Sequence, residues 1–566
     1  MRSKSNHCLF MRNLGLIIPL LLAIFGLPAV AVSESIKVRE KLAEAAISSE
    51  EKQIQILESL IESGDPFIAK VLIAWRRGEL FLIEHEGSTI PVLLENADSK
   101  EPVKAFALKN GKVLNGKSGK KLTFVPSQQK AAETTRNLRA QIKKTTDLLA
   151  ILNPNPKLRA EAAFKLGSQG KPEYLTALKN RETVEDNPKV LKKIKEGMAI
   201  SQLRIGDEKQ RIQAAVNLGE LRCIASLDSL ERIIREQEKL TKGEKNIDLI
   251  RETSKAIKII EVHKDWVNKG QTVFRGINYG AVLLIVSLGL AITFGLMGII
   301  NMAHGEMIAV GGYSAYLMQK WMTGFFGPEA LQWYFLLAIP FAFLAAATVG
   351  LLVERSVIRF LYRRPLESLL ATWGVSMILQ QCFRLYFGAA NVQVNSPDWL
   401  IGSVSVGDMS FNYNRLFVIA FAAVIVLGTG LLMSKTSLGL SIRAVMQNRD
   451  MAASMGIRTS RIRMVTFAFG SGLAGLAGCF LSQIDNVGPE VGSKYIIDSF
   501  MVVVTGGVGN LLGTITAALG IGTADRMLEA WSDSPVVGKV LVLSAIIIFL
   551  QARPGGLFAA NSRSLD

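Results

Sequence analysis

The longest apolar stretch of the chain runs from Gly276 to Ala303, 28 residues without a charged side chain. As a helix it would extend roughly 42 Å, more than the roughly 30 Å core of a bilayer. A second apolar stretch follows and is expected to cross the membrane back by about residue 320. Further apolar stretches lie near 331–353, 366–388, 414–434, 464–484, 496–523 and 536–552. The pattern predicts a multi-pass α-helical membrane protein with about eight membrane segments over residues 271–558.

The chain before Lys269 has a different pattern. Apolar residues recur at helical spacing over 36–64, and short apolar pieces between Gly, Asn and Lys clusters over 67–126 predict a small sheet. Residues 128–264 are again helical in pattern. Residues 34–269 are therefore expected to form a separate, mainly helical domain with a small β portion.

An internal echo lies within this domain. The segment RAEAAFKLG, residues 159–167, resembles RIQAAVNLG, residues 211–219. Small residues allow close helix packing, leucine fills a core and glycine ends a helix. The echo predicts HEAT-like helices over about 155–240, either as a docking surface for another protein or as two similar helices of one bundle.

The N-terminus resembles an export signal. A basic start is followed by an apolar run over 14–30, and Ala29-Val30-Ala31 fits a small-x-small cleavage site. Residues 1–31 are expected to be a signal peptide, and the alternative is an uncleaved anchor helix. Both place residues 34–269 outside the cytoplasm, and therefore in the periplasm.

The loop charges give the same orientation. Arginines are dense in 354–364, and basic residues in 435–463, whereas 389–413 contains no Lys or Arg. The first two loops are therefore expected inside and the third outside. Because the basic residues flank apolar spans, the net charge of +17 does not indicate a nucleic-acid partner. The four cysteines are scattered and form neither a disulfide framework nor a metal pattern.

Several polar or glycine positions within the apolar stretches are candidates for a translocation path: Asn301, His304, Glu306, Gln380, Gln381, Thr505, Gly506, Gly507 and Gly509. Ionisable groups at membrane depth are functional candidates by default, and a helix broken by glycine must be buried or line a cavity. The alternatives are a turn near the inner surface at 301–306 and helix packing by the two glutamines. Arg384 is expected to snorkel near an outer end or to face protein.

Four segments, in order, resemble the permease family of branched-chain amino acid ABC importers. They are LAITFGLMGIINMAHGEMIAVGGY in the first stretch, LGLSIRAVMQNRDMAASMGI from Leu438, SFMVVVTGGVGNLLGTITAALGIG from Ser499 and RPGGLF from Arg553. The resemblance covers about 271–558. The long exported extension departs from the amino acid permeases and is similar to the urea-type permeases.

Residues 450–456 fit the spacing of the coupling motif EAA-x-x-x-G, with Asp450 at the glutamate position. The resemblance implies a short helix that inserts into a nucleotide-binding subunit. The expected contact residues are Arg443, Arg449, Asp450, Ala452, Ala453 and Gly456, with small Ala452 and Gly456 at the interface.

No G-x-x-x-x-G-K-[ST] phosphate loop occurs, so the chain is not expected to be an enzyme or to hold a cofactor. The resemblance implies a permease subunit in the inner (plasma) membrane that imports urea with separate ATPase subunits, a second related permease and an extracytoplasmic solute-binding protein. The alternatives are import of branched-chain amino acids or amides and, in another class, a membrane-anchored sensor or scaffold.

Overall fold

The computed structural model describes residues 29–61, 65–85, 87–95, 101–114, 122–240, 245–298, 301–361 and 364–558. Most of the expected signal peptide therefore lies outside the described residues. The chain divides into two compact units, Met1–Lys264 and Asp265–Asp566, called here the N-terminal unit and the membrane unit.

The N-terminal unit begins with helices and a sheet. The helices are α1 (Ala29–Ile47), α2 (Glu50–Ser59) and α3 (Pro66–Arg77), and the strands are β1 (Leu80–His85), β2 (Ser88–Leu94), β3 (Val103–Ala107), β4 (Thr123–Phe124) and β5 (Lys130–Ala131). The sheet is antiparallel in the order β4-β3-β2-β1-β5. The short apolar pieces of the sequence therefore form strands, whereas α3 was not predicted. Asp65 caps its first turn by accepting from Phe67 N at 2.8 Å.

The rest of the N-terminal unit is helical: α4 (Arg136–Ala150), α5 (Pro156–Gln169), α6 (Pro172–Glu182), α7 (Pro188–Ile205), α8 (Glu208–Leu221), α9 (Leu227–Glu238) and the start of α10 (Ile247–Met297). The echoed segments lie in α5 and α8. The expectation that their glycines end the helices is wrong, because both lie inside them. A side chain at Gly167 would overlap the backbone of Gly197 on α7, so this glycine permits a close helix crossing instead.

Among its described residues, the membrane unit contains the rest of α10 followed by ten α-helices and one hairpin of strands. The helices are α11 (His304–Phe326), α12 (Tyr334–Ser356), α13 (Pro365–Phe387), α14 (Tyr413–Lys435), α15 (Ser437–Gln447), α16 (Arg449–Ser454), α17 (Thr459–Leu481), α18 (Val491–Gly506), α19 (Leu511–Ser532) and α20 (Pro535–Ala552). Strands β6 (Ser403–Val406) and β7 (Met409–Asn412) pair as a hairpin before α14.

Five helices among the described residues are long and apolar enough to cross a membrane: Ile247–Gly295, Tyr334–Phe360, Tyr413–Lys435, Thr459–Leu481 and Pro535–Ala552. The chain is therefore a helical membrane protein, and the number of about eight segments stays a prediction. Buried apolar residues of α10, α11 and α17 lie at the centre of this unit, with Phe335, Tyr313 and Phe480 among its largest buried side chains.

The apolar stretch 496–523 is discontinuous, as its glycines predict. Helix α18 ends at Gly506 and α19 begins at Leu511. Gly507 has φ of +97°, which L side chains rarely adopt. The two helices therefore form a hairpin within one apolar stretch.

Candidate functional site

The segment before α11 is a turn held by Asn301. The side-chain oxygen of this residue accepts from Ala303 N at 3.1 Å, and Asn301 is buried. The second candidate, His304, is fully buried, and its Nε2 lies 3.3 Å from the carbonyl oxygen of Val286 on α10. The geometry therefore favours the turn for Asn301 and helix packing for His304.

Glu306, in the first turn of α11, forms the most polar contact in this part of the unit. It is 1% exposed, and its Oε1 accepts from Ser376 Oγ and from Gln380 Nε2, each at 2.8 Å. Gln380 Nε2 also donates to Ser493 Oγ at 2.8 Å. Three helices, α11, α13 and α18, therefore meet at one carboxylate surrounded by neutral hydrogen-bonding groups.

The second oxygen of this carboxylate has no hydrogen-bond partner among the described residues. Glu306 Oε2 is buried nonetheless. A buried carboxylate oxygen is costly without a donor, and Glu306 makes no ion pair with a described residue. The site is thus chemically suited to accept a hydrogen bond from a solute that carries N–H groups.

Glu306 lies against the middle of α13. Its partners Ser376 and Gln380 are 11 and 15 residues beyond Pro365, where the 23-residue helix α13 begins. At 1.5 Å per residue they lie about 16 and 22 Å along that helix. Helix α11 does not continue α10 but starts afresh after the turn at Asn301. The position of residues 301–306 near the inner surface stays a prediction.

The remaining candidate path residues lie elsewhere. Gln381 is exposed, and no hydrogen bond joins it to a described residue. Thr505, Gly506, Gly507 and Gly509 are at the opposite end of α18 from Ser493, about 20 Å away along the helix. The sequence candidates thus fall into two groups. The carboxylate site is Glu306 with Gln380, and the glycine site is Thr505 to Gly509 at the α18–α19 hairpin.

The glycine site contacts the C-terminal segment and the loop after α14. Leu557 N donates to Thr505 O at 2.8 Å. A methyl group added at Gly295 or Gly509 would lie 2.8 or 3.2 Å from Met446 Cε on α15. The end of α10, the hairpin and α15 therefore touch at one point.

The segment that fits the coupling spacing forms two short helices, α15 and α16. Asn448 caps α16 by accepting from Met451 N at 2.9 Å, and Gly456 follows its C-terminal end. Arg443, Arg449, Asp450, Ala453 and Gly456 are exposed. Ala452 differs from these five, because it is only 5% exposed and packs within its own chain; its contact with a partner stays a prediction.

Sequence reasoning gave no role to two exposed methionines, Met451 on α16 and Met455 directly after its last residue. They are 63% and 77% exposed and four residues apart, so they lie on the same side of this short segment. Methionine is common at adaptable binding surfaces. The signal in the sequence was the position of these two apolar residues in an otherwise polar, basic loop.

Sequence reasoning also missed Ser376 and Ser493, which bind Glu306 and Gln380. The available signal was the spacing of four between Ser376 and Gln380 on one predicted helix, which places both on the same face. The ion pair of Arg384 with Glu490, at 2.7 Å, shows that this arginine faces protein.

Comparisons with known proteins give a consistent result. Residues 272–550 match the family model "Branched-chain amino acid transport system / permease component". The high-affinity branched-chain amino acid permease protein LivH of Salmonella typhimurium is 27% identical over 51% of this chain and 94% of its own length. BraD of Pseudomonas aeruginosa is 25% identical over the same shares. The autoinducer 2 permease protein LsrC of Escherichia coli is 26% identical over 50% of this chain and 77% of its own length. No solved structure matches the chain.

Proposed function

We propose that this chain, whose residues 272–550 match the branched-chain amino acid transport system permease family, is the membrane-spanning permease subunit of an ABC importer. The observation that carries the proposal is α16, a capped helix of six residues in a basic loop, with exposed Met451 in it and exposed Met455 directly after it. Two exposed methionines of this kind fit a groove on a nucleotide-binding subunit.

Transmission of motion follows from the contacts of α15. A nucleotide-binding subunit that displaces α16 also displaces α15, to which Asn448 joins it. Met446 on α15 lies against Gly295 and Gly509, so the displacement reaches the end of α10 and the α18–α19 hairpin together. Rigid shifts of packed helices of this kind open one side of a membrane cavity and close the other.

The other components follow from this role. ATP is hydrolysed on partner subunits, since the chain has no phosphate loop. A second, related permease completes the path, and an extracytoplasmic solute-binding protein delivers the solute. The N-terminal unit lies in the periplasm in this arrangement, with the basic loop 435–463 in the cytoplasm.

The proposed solute is urea. The family match begins at residue 272, and the long segment before it is the feature that resembles urea-type permeases. The neutral donors around Glu306 fit a small uncharged solute. The second candidate is a branched-chain amino acid, which is favoured by the names of LivH and BraD.

Copurification tests the class of protein. A tagged chain is expected to recover nucleotide-binding subunits, and Met455→Glu is expected to reduce the recovery about 30-fold, since a buried interface anchor contributes about 2 kcal/mol. Val406→Glu is the matched control, because Val406 is also exposed, at 65%, but lies on the β6–β7 hairpin. Recovery of no nucleotide-binding subunit by the unmodified chain would favour a membrane-anchored sensor or scaffold.

Uptake tests the solute. Cells that lack the gene are expected to lose uptake of labelled urea and to regain it when the gene is restored, with leucine uptake unchanged. Loss of leucine uptake with unchanged urea uptake would replace urea by the amino acid candidate.

A further inference from the structure

A cavity of about 380 Å³ lies beside the C-terminal end of α13, between that helix, the segment before α18 and the ends of α19 and α20. Four cationic side chains line it: Arg384, Lys494, Arg526 and Lys539. Three of them are already paired with carboxylates, Arg384 with Glu490 at 2.7 Å, Arg526 with Glu529 at 2.6 Å and Lys539 with Asp498 at 3.1 Å. The cavity therefore offers many hydrogen-bonding groups but little uncompensated charge.

A row of polar side chains leads from this cavity along α13. Thr372, Ser376, Gln380 and Arg384 follow one another every four residues, so they lie on one face of the helix. Each bonds to another part of the membrane unit: Thr372 to Met302 N, Ser376 to Glu306, Gln380 to Glu306 and Ser493, and Arg384 to Glu490. We call these four residues with their partners the α13 ladder.

The cavity adjoins one end of the ladder. Arg384 and Glu490 line the cavity, and Gln380 and Ser493 meet one helical turn away, about 5.4 Å back along α13. Ser493 is exposed, and its neighbour Lys494 lines the cavity. Glu306 follows with its unpartnered Oε2, buried in this structure.

We propose that the cavity is the entrance for the transported solute, that the α13 ladder, whose levels at Ser376 and Glu306 are closed in this structure, is its route, and that both take neutral amide-type solutes such as urea. This inference rests on the proposed function and adds to it the residues of the route and the chemical class of the solute. Each level offers donors and acceptors together, as the amide N–H and C=O groups of such a solute require.

The chemistry of the route disfavours charged solutes and apolar side chains. A carboxylate that moves along the ladder would meet Glu306, and two carboxylates at close range repel each other. A branched side chain would need an apolar recess, whereas the levels of the ladder consist of hydroxyl, amide, guanidinium and carboxylate groups. A competing explanation is that the ladder only fastens α13 to α11 and α18, which predicts no contact with solute.

Thiol labelling of a cysteine at position 493 distinguishes a solute route from a purely structural role of the ladder. The full transporter is prepared with Cys8 and Cys382 replaced by serine, since Cys382 is exposed, and with Ser493→Cys. A membrane-impermeant thiol reagent added from outside is expected to label it. Urea at ten times its half-saturating concentration is expected to slow the labelling about tenfold, by simple occupancy, and leucine is expected to have no effect.

The matched control is Ser405→Cys on the β6–β7 hairpin, an exposed serine outside the cavity that should label equally with and without urea. Unchanged labelling of Ser493→Cys in a complex that still imports urea would overturn the route while leaving the proposed function intact. Protection by leucine instead of urea would overturn the solute class. A complex that binds nucleotide-binding subunits but imports neither solute would overturn both.

Gln380→Leu is a second test that does not depend on labelling. It keeps the size of the side chain but removes the amide, so the KM for urea is expected to rise about tenfold while the amount of assembled complex stays the same. An unchanged KM with reduced assembly would show that Gln380 only holds the helices together.

Discussion

Two buried glutamates, one in each unit, have opposite surroundings. Glu185 of the N-terminal unit is 2% exposed by its side chain and binds two arginines: Arg159 at 2.8 and 2.9 Å and Arg181 at 2.8 and 3.0 Å. Glu306 of the membrane unit is equally buried but receives only a serine and a glutamine, and one of its oxygens has no partner among the described residues.

The two carboxylates differ in whether arginines occupy their oxygen atoms. At Glu185 both oxygens are used and the carboxylate joins Arg159 of α5 to the loop before α7, so the group stabilises the packing of these helices. The hydrogen bond from Arg159, with help from Arg181 and Asn187 N, lowers the pKa of Glu185 to about 2. At Glu306 no cation from a described residue pairs with the carboxylate, and one oxygen has no described partner; we propose that this oxygen binds the solute.

The strongest test of this contrast is Glu306→Leu. It removes the acceptor of Ser376 Oγ and one of the two acceptors of Gln380 Nε2, and it removes the free carboxylate oxygen, so urea uptake per assembled complex is expected to fall at least about 100-fold. Glu306→Gln keeps an acceptor oxygen and should retain within about tenfold of the uptake. Equal uptake by the leucine variant and the unmodified chain would contradict the role of Glu306.

Glu185→Gln should act on stability alone. Removal of one partner from a buried ion pair costs about 3 kcal/mol, which hydrogen exchange of the α6 and α7 amides in the full chain will measure. Because the folded pKa is lowered, the contribution of Glu185 is complete above about pH 4.5 and is lost as the pH falls towards 2. Glu161→Gln, at an exposed position on α5, is the control and should change nothing. Reduced urea uptake per folded molecule in Glu185→Gln would contradict the claim that Glu185 acts on stability alone.

Arg181→Met should have the smallest effect. It removes two bonds to Glu185 but leaves those from Arg159, so the loss is expected to be about 1–2 kcal/mol in the same exchange experiment. A loss as large as that of Glu185→Gln would mean that Arg159 alone does not neutralise the carboxylate.

Local pattern was sufficient for most elements. The uncharged run from Gly276 lies in α10, the alternating pieces near residues 80–94 are strands, and the glycines after Thr505 break a helix as predicted. In each case the signal is set by short-range physics: burial of a continuous apolar surface, the period of a strand, or the freedom of glycine at positive φ.

The features that the sequence did not predict depend on tertiary packing. Gly167 was expected to end a helix but instead allows a helix crossing, and Ala452 was expected at a partner surface but is buried in its own chain. The contacts of Glu306 with Ser376 and Gln380, and of Gln380 with Ser493, depend on where α11 restarts and how α18 packs against α13. These partners are 70 or more positions apart, and no local spacing encodes such contacts, so they required the structure.

Uptake into proteoliposomes tests the central claim, that this chain forms the membrane path of an importer driven by a separate ATPase. The chain, purified with its copurified subunits, is reconstituted with ATP enclosed in the lumen or withheld, and labelled urea and the solute-binding protein are added outside. We predict uptake only with enclosed ATP and its loss in Met455→Glu. Equal uptake without ATP, as through a channel, would contradict the account.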